Sequence, residues 1–134
     1  MFHFYTPPAD FSLSRPSPRV ARVRANMDST RKLLASLGKG LRFPPHYGKN
    51  FDAFWDCIRD LDIAEHRVII LHSDLPAINA DDLEVYLGIL RDAAIYWEKH
   101  AEEHSLESWF PDTARSGVES VLARIPPADP DFID

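Results

Sequence analysis

Phe43-Pro44-Pro45-His46-Tyr47-Gly48-Lys49-Asn50-Phe51-Asp52-Ala53-Phe54-Trp55-Asp56-Cys57-Ile58-Arg59-Asp60-Leu61 is the most informative stretch of this 134-residue chain. Adjacent prolines and a glycine make residues 42–50 a loop, because proline lacks a donor and glycine interrupts regular structure. Asn50 then has the side chain of a helix N-cap. Phe51, Phe54, Trp55, Ile58 and Leu61 follow at i, i+3, i+4, i+7 and i+10, the apolar stripe of an amphipathic helix over residues 51–61. The opposite side carries Asp52, Asp56 and Asp60 at i, i+4 and i+8. Like charges at this spacing destabilise a helix by roughly 0.2–0.5 kcal/mol per pair. Asp52 gains from the helix dipole at the N-terminus, whereas Asp60 does not. Arg59 and Lys49 soften the repulsion without interrupting the row. Such a row is either a solvated acidic face or a line of fixed negative charge matched to a positive groove.

Working towards the N-terminus, Asp28 or Ser29 caps a helix to about Leu37, with Leu33, Leu34 and Leu37 on one side and Gly38 and Gly40 ending it. Arg19–Ala25 alternates arginine with small apolar residues, as a half-buried strand does. Pro7, Pro8, Pro16 and Pro18 bracket an extended arm. Met1–Tyr5 alternates in a way that offers a further short strand. Towards the C-terminus, the β-branched run Arg67–Leu71 predicts a strand covered on both faces, as in a parallel sheet. Asn79 caps a long helix to about Glu103, with Leu83, Tyr86, Leu87, Leu90, Ala94 and Trp97 facing inward. Residues 105–116 read as a loop, Val118–Ile125 as the last strand, and 126–134 as a loose tail. Strands alternating with helices give an α/β fold with a small, three-stranded, mostly parallel sheet, which the N-terminal strand would extend. The expected organisation is an N-terminal segment 1–18, one domain over 19–125, and the tail 126–134.

The net charge of −6 is unevenly spread. Residues 1–49 hold nine Lys/Arg against two acids, and residues 50–134 hold six against nineteen. An acidic majority of this size disfavours nucleic acid, whose phosphates require cationic contacts, and attracts basic partners. It is equally what ordinary solubility requires. The single Cys57 forms no internal disulfide, and no Cys/His set has structural-zinc spacing. No apolar run approaches the ~18 residues of a membrane span, and Met1–Asp10 lacks the pattern of a secretory signal. The expectation is a cytoplasmic protein with no membrane or nucleic-acid partner.

The run Phe43–Ile58 resembles the signature loop and helix of the barstar family, intracellular inhibitors of barnase-type ribonucleases. The family pattern is a Pro, two residues that are often aromatic, then Tyr, Gly, any residue, Asn, an apolar residue, Asp, Ala, an apolar residue, Trp and Asp. Tyr47, Gly48, Asn50, Asp52, Ala53, Trp55 and Asp56 meet it in unbroken register, and the order of elements over roughly 19–125 is also similar. Departures are Lys49, the pair Asp60-Leu61 after the helix, the proline-rich arm, and a long segment before the last strand. The resemblance implies a barstar-like fold and a non-catalytic immunity protein that blocks a basic, extracellular-type ribonuclease, its helix carboxylates standing where RNA phosphates would lie. It implies partner-binding residues His46, Tyr47, Gly48, Asn50, Asp52, Asp56 and Asp60. Among these Asp56 would be the main anchor, Asp52 a contact at the rim, and Tyr47 and Gly48 would shape the loop. No catalytic residue, metal or cofactor follows from it. The partner could instead be another basic protein.

Other constellations give alternatives. Asp52 and Asp56 could hold Mg²⁺ for a phosphohydrolase, but no phosphate-binding glycine loop accompanies them. His100 and His104 at i, i+4 have chelating spacing but lack a third ligand and the order of a metalloprotease motif. Cys57 reads as a small core residue, not a nucleophile. Asp92 or Glu84 on the long helix could add a further acid to the binding face.

Overall fold

A computed structural model describes residues 1–62, 64–101 and 103–127. The elements run β1 (Phe2–Tyr5), β2 (Arg19–Val23), α1 (Thr30–Leu41), α2 (Phe51–Arg59), β3 (Arg67–His72), α3 (Ala80–His100), β4 (Ser105–Pro111), a single 3₁₀ turn (Asp112–Ala114) and α4 (Arg115–Arg124). The four strands form one sheet in the order β1-β4-β3-β2, and every pairing is parallel. Arg19 lies opposite Val68, Val68 opposite Leu106, and Phe2 opposite Ser108. The fold is therefore the expected parallel α/β sheet with the additional N-terminal strand.

Alternation in the strands divides the sheet into two faces. Ala21, Val23, Val68, Ile70, Leu106 and Phe110 point into a core shared with the helices. Into it α1 sends Leu33, Leu34, Leu37 and Leu41, α2 sends Phe54 and Ile58, and α3 sends Tyr86, Leu87, Leu90, Ala93, Ala94 and Trp97. Every expected inward residue of α3 is buried. The buried histidine of this core is paired. The His72 ring stacks on Phe110 at 3.9 Å, meets the Tyr86 hydroxyl at 2.7 Å and the Trp109 carbonyl at 3.0 Å. Burial lowers its pKa to about 4, so it is neutral at pH 7.

The opposite face is partly covered. Ile69 is fully buried and Leu71 nearly so, although neither belongs to the helix-side core. The cover is the proline-rich segment 6–18. Phe11 packs edge-on against Trp109 at 5.2 Å, with the Arg67 guanidinium 5.8 Å from its ring centre. Pro7, Pro8 and Ala9 border a hollow floored by Leu71. Beneath lies a closed ionic cluster. Arg67 donates to both Glu107 carboxylate oxygens at 2.7 and 2.8 Å, and Trp109 Nε1 and Ser105 Oγ donate to the same group. Burial alone would raise the Glu107 pKa, but these donors and the Arg67 charge outweigh it and lower it to about 2.

Three expectations require correction. Residues 105–116 are not a loop: 105–111 form β4 at the centre of the sheet. Glu107 and Ser108 are both buried there, so polar residues at inward positions hid the strand pattern. Residues 118–125 are not a strand but most of α4, which buries Val118 and Val121 at helical i, i+3 spacing while Glu119 and Ser120 face solvent. Gly38 and Gly40 do not end α1, which runs to Leu41 and is capped at its start by Ser29, accepting from Lys32 N at 3.2 Å. Its end is set by Arg42 in the left-handed conformation (φ 61°). The glycines are instead sites of close approach, for a Cβ on Gly40 would lie 2.8 Å from Ala21 Cβ and one on Gly38 only 2.6 Å from the Tyr47 ring. The expected tail lies outside the described residues from position 128 onward. No helix among the described residues is long and apolar enough to cross a membrane.

Candidate partner-binding surface

The loop between α1 and α2 is held by its own aromatic residues. Phe43 N donates back to Gly38 O at 2.8 Å, and Tyr47 N to Pro44 O at 3.0 Å, which closes a tight turn at 44–47. The Tyr47 ring packs edge-on against Phe43 at 4.9 Å and lies on the bare backbone of Gly38. It is buried, its hydroxyl has no hydrogen-bond partner among the described residues, and burial raises its pKa. Tyr47 therefore supports the loop from beneath, while His46 stands exposed at the turn. Lys49, not Gly48, takes the left-handed backbone position (φ 55°). Gly48 serves by being small, since a Cβ there would come within 3.2 Å of Asn50 Nδ2. Asn50 is the expected N-cap, its Oδ1 accepting from Ala53 N at 2.8 Å.

α2 ends at Arg59, two residues before the expected Leu61, and Asp60 is its C-cap. Phe54 and Ile58 anchor the helix in the core, and the Trp97 indole donates to Ile58 O at 3.1 Å, fixing the far end against α3. Anchored on this side, the helix turns Asp52, Asp56 and Asp60 to solvent. Asp52 forms no ion pair among the described residues and sits in the first turn, where the helix dipole favours a negative charge. Arg59 approaches Asp56 at 3.4 Å and Asp60 at 3.5 Å, yet these carboxylates remain 68% and 67% exposed. Exposed pairs at such distances are worth roughly 0–1 kcal/mol. The acidic ridge is thus on the surface and only loosely engaged by the protein's own cation.

The other candidate groups are placed elsewhere. Glu84 is paired with Arg124 and Asp92 with its neighbour Arg91, both at 3.0 Å. Cys57 is half-buried against the core; burial and the flanking Asp56 and Asp60 carboxylates raise its pKa, the opposite of what activates a thiolate. His104 Nδ1 meets the Glu65 carbonyl at 2.9 Å, and the His100 ring lies tilted against Tyr96 with centres 4.3 Å apart. Among the described residues no three His, Cys, Asp or Glu side chains gather in a way that could hold a metal ion. Sequence reasoning overlooked Tyr96, which faces α2 across the α2–α3 contact and stands 6.3 Å from Trp55. An aromatic outside the inward stripe, on the helix packed against α2, was the available signal.

A parallel α/β sheet, helices on one face, and a braced loop leading into an exposed acidic helix define a domain class with a specific counterpart among known proteins. The family model of barstar, the barnase inhibitor, matches residues 19–108, and the chain belongs to the barstar family. The match runs from β2 into β4 and includes the whole loop and α2. β1, the covering segment and α4 lie outside it. No individual curated protein matches the chain.

Proposed function

We propose that this protein is a non-catalytic immunity protein of the cytoplasm, binding a basic ribonuclease and occluding its active site with α2 and the preceding loop. The observation that carries this is the exposure of Asp52 and Asp56 on a single capped, core-anchored helix within the family-matched segment. Rigid presentation lowers the ordering cost of association, because the carboxylates need not be gathered on binding. Asp56, at mid-helix, is the anchor for the cleft's cations, Asp52 meets a cation at the rim, and Asp60 flanks them. His46 touches the partner from the turn, while Tyr47, Gly48 and Asn50 set the shape of the loop. Negative charge over residues 50–134 accelerates encounter with a cationic target, more so at low salt.

The test is a titration of a barnase-type ribonuclease cleaving a fluorogenic RNA. Equimolar protein is expected to abolish cleavage, and raising the salt concentration to slow association more than it speeds dissociation. Undiminished cleavage across a panel of such nucleases would sink the proposal; capture of a basic non-nuclease from the native cell would redirect it to another partner.

A further inference from the structure

Arg59 is an unexpected residue on a helix meant for a cationic cleft. Along the exposed end of α2 the charges run carboxylate (Asp56), guanidinium (Arg59), carboxylate (Asp60), with separations of 3.4 and 3.5 Å. The two ion pairs do not explain why the guanidinium stays there, since both acids are well solvated. A better account is the aromatic shelf beneath it. Arg59 lies 5.4 Å from the Trp55 ring centre and 5.9 Å from that of Tyr96, so rings from two helices hold it by cation–π attraction. Its side chain remains 29% exposed. The contacts to Asp56 and Asp60 use Nη2 and Nε, and among the described residues Nη1 has no protein partner. Beside it opens a cavity of about 330 Å³ lined by Asp60, Asp62, Tyr96 and His100.

We infer that Arg59 determines the selectivity of this surface, restricting it to ribonucleases whose cationic cleft contains a carboxylate. The inference rests on the inhibitory function proposed above. Any cleft that receives Asp56 must also receive a guanidinium less than 4 Å away. A uniformly positive cleft would repel Arg59 at the same moment as it attracts Asp56. The complement of minus, plus, minus is plus, minus, plus. Ribonucleases that cleave through the 2′-hydroxyl require a general base, and where that base is a carboxylate it lies among the cations that hold the phosphate. Such a carboxylate gives Arg59 a planar, charge-assisted partner. Exclusion of carboxylate-free clefts then arises from repulsion as much as from attraction to the correct one.

The experiment measures the affinity of the full chain for a barnase-type ribonuclease in two forms, with its catalytic-base carboxylate intact and with that residue replaced by alanine. Arg59→Met keeps the aliphatic stem on the shelf and removes the charge; Arg59→Gln is the second variant, and thermal unfolding verifies that both fold. Both are expected to bind the intact nuclease about tenfold more weakly, the scale of one charge-assisted contact, and to bind the carboxylate-free nuclease more tightly than the parent does, because the repulsion of Arg59 is relieved. Unchanged or tighter binding of the variants to the intact nuclease overturns the inference, as does an equal loss against both forms, which would mark Arg59 as a packing residue. Asp56→Ala separates the two levels. If it weakens binding while the Arg59 variants do not, only the selectivity role is lost. If it has no effect, the inhibitory function falls and takes this inference with it.

Discussion

Two arginine–carboxylate groups on this protein contain the same chemistry in opposite states of completion. Arg67 grips Glu107 through two short bonds, 2.7 and 2.8 Å, under the covering segment, and Trp109 and Ser105 use up the remaining acceptor capacity. Arg59 touches Asp56 and Asp60 at 3.4 and 3.5 Å, and these carboxylates are 68% and 67% exposed against 10% for Glu107, with acceptors to spare. The first cluster is closed, so its electrostatic energy belongs to the fold. The second is left open, so its energy is available for a partner. Charged residues in similar pairs therefore divide by geometry and burial, not by residue type.

The comparison can be broken most forcefully by acid. His72 has a folded pKa of about 4 against 6.5 in the open chain, so its contribution is fully present above pH 6.5 and is lost as pH falls from there towards 4. This loss should approach about 3 kcal/mol, because each tenfold weakening of proton affinity corresponds to about 1.4 kcal/mol. Glu107, lowered from 4.5 to about 2, keeps its contribution above pH 4.5 and loses it only below that. Urea unfolding between pH 7 and 4.5 should accordingly report His72 with Glu107 still intact; a flat stability profile over that range would contradict the burial of a neutral imidazole.

Next in size is Glu107→Ala, which leaves Arg67 without its counter-ion and should cost about 2–3 kcal/mol, somewhat below a fully buried pair because Arg67 is partly exposed. Binding to the nuclease should not change once the variant is folded. Asp56→Ala should do the reverse, weakening binding by at least about 2 kcal/mol, chiefly through faster dissociation, while the unfolding midpoint hardly moves. Asp60→Ala, at the C-cap of the helix, should weaken binding by less than about 1 kcal/mol. If Asp60→Ala exceeded Asp56→Ala in surface-plasmon kinetics, the centre of the interface would lie at the C-cap and not at mid-helix.

Much of the candidate face was legible because its local signals agree. The cap, the apolar stripe and the acid spacing of residues 50–58 point to one helix, and the structure contains it. The inward stripe of α3 and the buried run of β3 were clear for the same reason. β4 was hidden because Glu107 is buried through a partner forty residues away, which no window of sequence contains. α4 was hidden because valines carry strand propensity, and only their packing on one side shows a helix. Gly38 and Gly40 resembled stop signals, but their role depends on what approaches them, the Tyr47 ring and Ala21. The importance of Arg59 also required coordinates, since its seat is built partly by Tyr96 from another helix.

The pairing of β1 with β4 has a consequence for how the chain assembles. It joins Phe2 to Ser108, so β1 waits through synthesis of most of the described elements before it can dock. Loop-closure entropy makes that the most remote of the sheet's pairings to form. The scaffold under α2, made of β2, β3, α1 and α3, is already synthesised by then. Its contacts are nearer in sequence, so the acidic helix can be presented before the N-terminal strand seals the far edge. A chain with this topology completes the scaffold of its acidic helix early and its full closure late.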